Sequence, residues 1–237
     1  MLTSLTVDQL VGRDNTHVID WNGAGLHSRV LTSFKRLSSD AKEAGFDLRI
    51  ASGFRSFDRQ LTIFNGKASG DRPIFDDDGN TIEIDDLSSY NLLCSILRFS
   101  ALPGASRHHW GTDIDVYDAN AVSSDYVVRL SLEEVSSGGV FHSLHEWLDS
   151  LIEEDQSYGF YRPYAVDSGG VSPERWHLSF APLALVCEDA ISPDIIKSAL
   201  DDAAREKNLE LHTAIVENMD EIYSRFITSP PEWAPFL

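Results

Sequence analysis

Two short polar segments that lie far apart in the sequence constrain this chain more than any other feature. Segment 106–115 reads Ser-Arg-His-His-Trp-Gly-Thr-Asp-Ile-Asp, and segment 174–177 reads Glu-Arg-Trp-His. Polar and apolar residues alternate at the end of the first segment and around the second, which predicts a strand at each place. If these strands are neighbours in one sheet, the polar side chains of both segments converge on one site.

The side chains of these segments include the ligands of a catalytic zinc site. Zinc prefers neutral imidazole nitrogen and carboxylate oxygen, and catalytic sites combine three protein ligands with one open position. His108, Asp115 and His177 supply this set, so we expect one Zn²⁺ per chain. The adjacent His109 competes with His108 for the first ligand position.

Other polar side chains suit the chemistry of peptide hydrolysis. Glu174 is placed as the general base that takes a proton from the attacking water. Residues three apart in a regular strand point to opposite faces, so the chain must turn or bulge between Glu174 and His177. Arg55, at the exit of a predicted strand, is the candidate cation beside the oxyanion. Ser106 and Arg107 are expected to bind the terminal carboxylate of a substrate.

The order of the predicted elements indicates an α+β fold with a small, mainly antiparallel sheet flanked by helices. Ser56 is placed to cap a helix that runs to Asn65. Alternating side chains predict the strands, and apolar residues at a spacing of three to four predict the helices. We expect strands over 46–53, 113–117, 160–166 and 175–180, and further helices over 26–44, 89–100, 140–151, 193–207 and 209–226, the last closed by Pro230 and Pro231.

Three motifs occur in order along the chain and carry a resemblance to a known family. They are Ser52-Gly53-Phe54-Arg55-Ser56 followed by Gln60, then Ser106-x-His108-x-x-Gly111-x-x-x-Asp115, then Glu174-x-Trp176-His177. Over residues 45–181 the chain resembles the VanY-like D-alanyl-D-alanine carboxypeptidases and their dipeptidase and L,D-peptidase relatives. These are zinc enzymes of peptidoglycan metabolism with the Hedgehog/DD-peptidase fold.

The resemblance implies a role for each matched residue. It implies that His108, Asp115 and His177 bind zinc. It implies that Glu174 is the catalytic base and that Arg55 stabilises the transition state. His109 is then expected to shape the cleft without binding the metal.

The resemblance also implies contacts with a peptidoglycan stem peptide or a fragment of one, and it shows one departure. Ser106 and Gln60 would touch this substrate. Where the family usually has a small residue, this chain has Asp113, which shares a strand face with Asp115. Asp113 is expected either to hydrogen-bond a metal ligand or to change the charge of the pocket.

The resemblance leaves the reaction open. Removal of a terminal D-alanine is the expected activity, and a D-Ala-D-Ala dipeptidase or an L,D-endopeptidase is the alternative within the family. A zinc-binding recognition domain without catalysis, of the Hedgehog type, is an alternative from another class. Retention of both Glu174 and Arg55 disfavours it, because a binding domain needs no general base.

Composition limits partners and organisation. The 38 acidic and 19 basic residues give a net charge of −19, which argues against a nucleic-acid or anionic-membrane surface. Residues 1–189 are expected to form the zinc peptidase domain with an N-terminal helical cover, and 190–237 a helical annex packed on it. No signal peptide or membrane span is visible, so we expect a cytoplasmic protein, or a periplasmic or cell-wall protein if a leader was removed.

Four further side chains are expected to take no part in the site. Cys94 and Cys187 are too few and too distant for a disulfide framework, so both are expected to be buried and reduced. His142 and His145 lie three residues apart on a predicted helix without a carboxylate motif. They are expected to face solvent.

Overall fold

A four-stranded antiparallel sheet forms the centre of the computed structural model, which describes residues 5–228. Its strands pair in the order β3 (Leu48–Ser52), β4 (Asp113–Asp118), β6 (His177–Phe180) and β5 (Phe160–Tyr161). A separate hairpin joins β1 (Val18–Trp21) to β2 (Ala24–His27). Helices cover the sheet, so the predicted α+β architecture is confirmed.

Strand β4 separates an apolar layer from a polar one. Because side chains alternate along a strand, Ile114 and Val116 point to one face, and Asp113 and Asp115 to the other. The apolar face packs into a buried cluster with α2 (Leu31–Glu43) and α6 (His142–Glu153). The polar face is free to form a site.

The remaining helices surround this sheet. They are α1 (Val7–Leu10), α3 (Phe57–Ala68), α4 (Ser89–Leu97), α5 (Leu132–Val135), α7 (Ala181–Ala190), α8 (Pro193–Glu206), α9 (His212–Glu217) and α10 (Met219–Ile222). The Ser56 hydroxyl accepts a hydrogen bond from the Arg59 backbone N–H at 3.2 Å, which confirms the predicted cap of α3. The helix continues three residues beyond the predicted end at Asn65.

Several predicted boundaries are wrong. Leu26 lies in β2, opposite Ile19, and the helix begins only at Leu31. Its apolar spacing with Val30 and Phe34 fits a helical face, but a strand followed by a helix buries the same three side chains in one cluster. Strand β5 ends at Tyr161, short of the predicted end at residue 166.

The C-terminal residues form short helices. The helix predicted over 209–226 is divided into α9, α10 and a π-helical turn, Tyr223–Ile227. Helix α7 crosses residue 189, where the sequence placed the boundary between domain and annex. The predicted stop at Pro230 and Pro231 lies outside the described residues. Within residues 5–228, no helix combines the length and apolar character that crossing a bilayer requires.

The annex helices share one apolar cluster with α3 and α4. Ile196, Leu200, Ile215 and Ile222 are almost fully buried in it. Cys187 is buried in the same cluster and unpaired, as predicted, whereas the unpaired Cys94 is only half-buried.

Candidate active site

Strand pairing brings the predicted metal ligands together. Asp115 on β4 lies directly opposite His177 on β6, and it pairs with Ser52 on β3 across an irregularity in the register. Directly opposed residues have Cβ atoms only about 5 Å apart. His108 comes from the 3-10 turn Arg107–Trp110 that precedes β4.

His108, Asp115 and His177, which we call the convergent cluster, each offer one ligand atom within 4.8 Å of the others. The His108 Nε2 atom lies 3.4 Å from Asp115 Oδ2, and His177 Nδ1 lies 3.2 Å from Asp115 Oδ1. All three residues are at most 7% exposed. Asp115 Oδ1 and His177 Nδ1 are buried without a hydrogen-bond partner. Buried polar atoms are normally paired, so these two atoms mark a position suited to a cation.

The other ring nitrogen of each histidine is hydrogen-bonded outside the convergent cluster. His108 Nδ1 lies 2.9 Å from the Gly53 carbonyl oxygen, and His177 Nε2 lies 2.9 Å from Asp113 Oδ1. A carbonyl or a carboxylate only accepts, so these ring nitrogens carry the protons. In the neutral form of each ring, the lone pair of His108 Nε2 or of His177 Nδ1 therefore points inward, as metal ligation requires.

Asp113 is the family departure noted in the sequence, and the structure places it directly behind His177. It is fully buried and accepts from Arg107 Nε at 2.8 Å and from the Thr112 hydroxyl at 2.6 Å. Burial alone would raise the pKa of Asp113, but the charge of Arg107 and the hydrogen bond with His177 hold that pKa well below its usual range. Asp113 is thus an ionised partner of His177.

Arg107 lies in the interior, where its guanidinium joins four elements. It donates to Glu188 Oε2 at 2.7 Å, to the Tyr161 hydroxyl at 2.8 Å and to Ser179 Oγ at 2.9 Å, besides Asp113. Its side chain is 2% exposed. Arg107 also lines the cavity, but its guanidinium is paired with carboxylates of the protein, and the contact with a substrate carboxylate stays a prediction. Within the protein, Arg107 supports the strand that carries His177.

Arg55 reaches the cavity with its guanidinium fixed at two points. Its Nη1 atom donates to Gln60 Oε1 at 2.8 Å, and its Nη2 atom donates to Ser52 Oγ at 3.1 Å. Gln60 is fully buried, and its amide Nε2 donates to the Ala101 carbonyl at 2.7 Å. Both ends of the Gln60 amide are therefore used within the protein. Gln60 orients Arg55, which argues against the predicted contact with substrate.

A short ladder of hydrogen bonds ties Arg55 to the histidine turn. The Arg55 backbone N–H donates to the His108 carbonyl at 3.1 Å, and His109 Nδ1 lies 2.6 Å from the Arg55 carbonyl. His109 Nε2 accepts from the Gly104 N–H at 3.0 Å, and its ring is fully buried. Both nitrogens of His109 are used in this way, so His109 is structural and takes no part in the convergent cluster.

Glu174 lies in a turn just before β6, as the predicted break in the strand required. The His177 backbone N–H donates to the Glu174 carbonyl at 3.0 Å, and the Glu174 N–H donates to the Tyr164 carbonyl at 3.0 Å. The turn brings Glu174 Oε2 to 3.6 Å from His177 Nδ1. Burial, reinforced by the charge of Asp115, raises the pKa of Glu174 to about 7. A carboxylate with this pKa exchanges protons near neutral pH.

One cavity of about 250 Å³ contains these groups. Ser106 lines it and is 2% exposed, and its contact with a substrate stays a prediction. Its walls are formed by Arg55, Leu97, Phe99, Ser100, Ala101, Leu102, Ala105, Ser106, Arg107, His108, Asp115, Arg129, Leu130, Tyr164, Val171, Glu174, Trp176, His177, Phe226 and Ile227.

Sequence reasoning missed several side chains at this site. Tyr164 lines the cavity, with its ring centroid 5.0 Å from that of His177. Lys67 lies near Glu174 and Arg55, and burial lowers the pKa of its amine to about 8. Neither belongs to a motif, and a tyrosine or a lysine alone gives no signal in a single sequence.

A second group of histidines and carboxylates lies on α6, and its histidines do not face solvent as the sequence predicts. His145 is fully buried, not solvent-facing, while His142 is half-buried. We call His145, Asp149, Arg162 and Arg175 the guanidinium cluster. Both arginines donate to Asp149, and Arg162 Nη2 lies 3.4 Å from His145 Nδ1. Burial and the charge of Arg162 lower the pKa of His145 to about 2.

A family comparison matches most of the chain. The family model VanY, D-alanyl-D-alanine carboxypeptidase, matches residues 23–183. This chain belongs to the VanY family. The resemblance predicted from the three motifs is thereby confirmed, and the chain is a peptidase-type hydrolase by family. All three motifs lie within the matched residues, and the annex lies beyond them.

Individual proteins and solved structures are also similar to this chain. An uncharacterized protein of Haemophilus influenzae is 30% identical over 128 residues, which are 53% of this chain and 92% of that protein. A second Haemophilus influenzae protein is 33% identical over 103 residues, 41% of this chain and 70% of that protein. The structure of VanYB in complex with D-alanine-D-alanine has a TM-score of 0.49 and 19% identity, and covers 78% of this chain and 87% of that one. The structure of the LdcB LD-carboxypeptidase has a TM-score of 0.44 and 21% identity, and the match covers 71% of this chain and 66% of that one.

Proposed function

We propose that this protein is a zinc-dependent peptidase that removes the terminal D-alanine from peptidoglycan-type peptides. The observation that carries the proposal is the convergent cluster, buried in one cavity with Glu174 and Arg55. Membership of the VanY family supports the choice of substrate.

The donor set fits zinc. Two imidazole nitrogens and one carboxylate oxygen are the ligands that zinc takes in catalytic sites. His177 Nδ1 and Asp115 Oδ1 lack other partners, and the outer hydrogen bonds fix both rings with a lone pair inward. When bound there, zinc supplies a Lewis acid that polarises a carbonyl and lowers the pKa of water.

Glu174 moves the proton in this proposal. Its carboxylate, with a pKa of about 7, takes a proton from the attacking water and passes it to the amine of the departing D-alanine. The turn at Glu174 aims the carboxylate at the same point as His177 Nδ1. Asp115, the other carboxylate of the cavity wall, belongs to the convergent cluster and is assigned to the metal instead.

Arg55 and Ser106 act on the substrate. Gln60 and Ser52 hold the Arg55 guanidinium in one orientation, so its charge is in place before the oxyanion develops. Ser106 supplies a hydroxyl to the peptide from the wall of the cavity. The Hedgehog-type alternative has no use for this arrangement, since binding alone needs neither a carboxyl near pKa 7 nor a fixed guanidinium.

The test is the substitution Glu174→Gln. We expect kcat for release of D-alanine from N-acetyl-Lys-D-Ala-D-Ala to fall by a factor of about 10²–10⁴, the usual contribution of a general base. Zinc content should stay near one per chain. Mass spectrometry of the products and elemental analysis of the protein measure the two quantities.

The matched control is Glu133→Gln, at a glutamate whose side chain is 78% exposed. It should change neither quantity. Loss of zinc from the Glu174 variant would make Glu174 a ligand in place of a base. Failure of the zinc-loaded wild type to release D-alanine would refute the proposed activity.

A further inference from the structure

The C-terminal annex contributes part of the cavity that holds the convergent cluster. Phe226 and Ile227, from the π-helical turn, line this cavity together with His108 and Glu174. Both residues lie beyond the family match at 23–183. The cavity therefore has a wall that the family match does not include.

This wall is firmly packed. Phe226 is 8% exposed and Ile227 is 9% exposed, and both belong to the apolar cluster that contains Met219 and Ile222. Protein interiors are close-packed, so side chains anchored in this way have little freedom to swing aside. A π-helical turn is also uncommon in proteins and occurs often at functional sites.

The annex also holds the loop that precedes Glu174. Arg225 Nε donates to the Gly169 carbonyl at 2.6 Å. At Gly170 a Cβ atom would lie 1.8 Å from the Arg225 carbonyl oxygen, so the loop and the annex touch through their backbones. Val171 follows directly and continues the apolar wall of the cavity. The wall is thus joined to the loop that carries the proposed base.

The cavity that this wall closes is small. Its volume of about 250 Å³ is below the roughly 300–1,000 Å³ of pockets that enclose drug-sized ligands. Its lining combines the charged groups with apolar side chains that include Leu97, Phe99, Val171, Phe226 and Ile227. A packed apolar wall accepts an apolar side chain and gives a peptide no path to continue.

We infer that the annex wall, chiefly Phe226 and Ile227, forms the subsite for the side chain of the terminal residue and selects a methyl group over larger apolar groups. This inference rests on the proposed function, because it assigns the wall to a peptide held at the convergent cluster. One methylene in an apolar pocket changes selectivity by about 10- to 200-fold. The wall is thus sufficient to favour D-alanine over D-leucine.

The experiment measures peptide binding in a background that does not turn over. Zinc-loaded Glu174→Gln protein is titrated calorimetrically with N-acetyl-Lys-D-Ala-D-Ala and with N-acetyl-Lys-D-Ala-D-Leu. We expect the first peptide to bind at least about 10-fold more tightly. Adding Ile227→Ala or Phe226→Ala should reduce this ratio by about 10-fold, because each truncation opens room for the leucine side chain.

The matched control is Ile222→Ala. Ile222 is 1% exposed in the same annex cluster but does not line the cavity. It loses the same atoms as Ile227→Ala, so both variants should lose stability, but only Ile227→Ala should change the ratio. Two results would overturn the inference. One is an equal ratio of affinities in the Ile227→Ala and Ile222→Ala variants, and the other is equal affinity for both peptides in the Glu174→Gln protein without an annex substitution.

The wild-type hydrolysis assay separates this inference from the proposed function. If the wild type releases D-alanine but Ile227→Ala does not change the ratio of affinities, the proposed function is supported and the subsite is refuted. If the Glu174→Gln protein binds the two peptides selectively but the wild type hydrolyses neither, the subsite is supported and the proposed catalytic activity is refuted.

Discussion

The convergent cluster and the guanidinium cluster each contain a buried histidine together with an aspartate, but the charged neighbours of the two histidines have opposite sign. His177 lies between two carboxylates, and despite burial these raise its pKa to about 10. His145 lies beside Arg162 and Arg175, and burial together with these cations lowers its pKa to about 2. A metal ion favours an imidazole flanked by anions, so residue type alone does not define a metal site.

The clusters also differ in how their carboxylates are used. Asp149 accepts from both Arg162 and Arg175, which satisfies its charge within the protein. Asp115 has no arginine or lysine as an ion-pair partner among the described residues, and its Oδ1 atom has no hydrogen-bond partner. The convergent cluster therefore has a carboxylate oxygen available to bind a metal, whereas the carboxylate of the guanidinium cluster is already paired with two arginines. Three predictions test this contrast.

The largest effect is expected from removing one imidazole from each cluster. His177→Ala should reduce zinc content from about one per chain to near zero, because it deletes a ligand whose lone pair points at the metal position. His145→Ala should leave zinc content unchanged. Elemental analysis after dialysis measures both, and equal zinc loss in the two variants would show that the clusters are not distinct.

A smaller effect is expected from the aspartates behind the histidines. Asp113→Asn should weaken zinc affinity by about 10- to 100-fold, the usual cost of changing an outer partner of a ligand. Competition with a chromogenic chelator measures the affinity. Asp149→Asn is the same chemical change in the guanidinium cluster and should leave zinc affinity as it is. Unchanged affinity in the Asp113 variant would remove Asp113 from the metal centre.

The smallest effect is expected in the pH dependence of stability. His145 takes a proton in the unfolded chain near pH 6.5 but in the folded protein only near pH 2. The unfolded state therefore binds more protons as the pH falls below 6.5, and this histidine destabilises the fold progressively. Between pH 6.5 and 5 it should cost about 2 kcal/mol.

Urea unfolding of metal-free protein at these two pH values measures the cost. The variant His145→Gln should show a decrease in the free energy of unfolding smaller by about that amount. An equal decrease in both proteins would mean that His145 is protonated in the folded state.

The central sheet and the convergent cluster could be predicted because their signals are local. Alternation in 113–117 indicates a strand, and a pair of neighbouring strands suffices to bring Asp115 to His177. The break at Glu174 followed from the geometry of a strand, which cannot place residues three apart on one face. Such inferences need only the spacing of residues within a segment.

The parts that could not be predicted depend on partners far away in the sequence. The sequence predicts that Arg107 binds the terminal carboxylate of a substrate, whereas Glu188 and Tyr161 hold its guanidinium in the interior. His145 is buried because Arg162 and Arg175 pack around α6. The spacing at Leu26 predicts a helix in place of the observed strand, because strand and helix bury the same apolar side chains.

The bonds among Gly53, Arg55, His108 and His109 make the two motifs one mechanical unit. The backbone of each segment is held by the other through bonds of 2.6–3.1 Å. Transplanting residues 106–115 into another scaffold would carry a histidine without the carbonyl that sets its tautomer. A transferable site would need residues 52–60 in the same graft. Because His177 and Glu174 come from segment 174–177, the smallest portable piece of this protein is a set of three segments that are discontinuous in sequence.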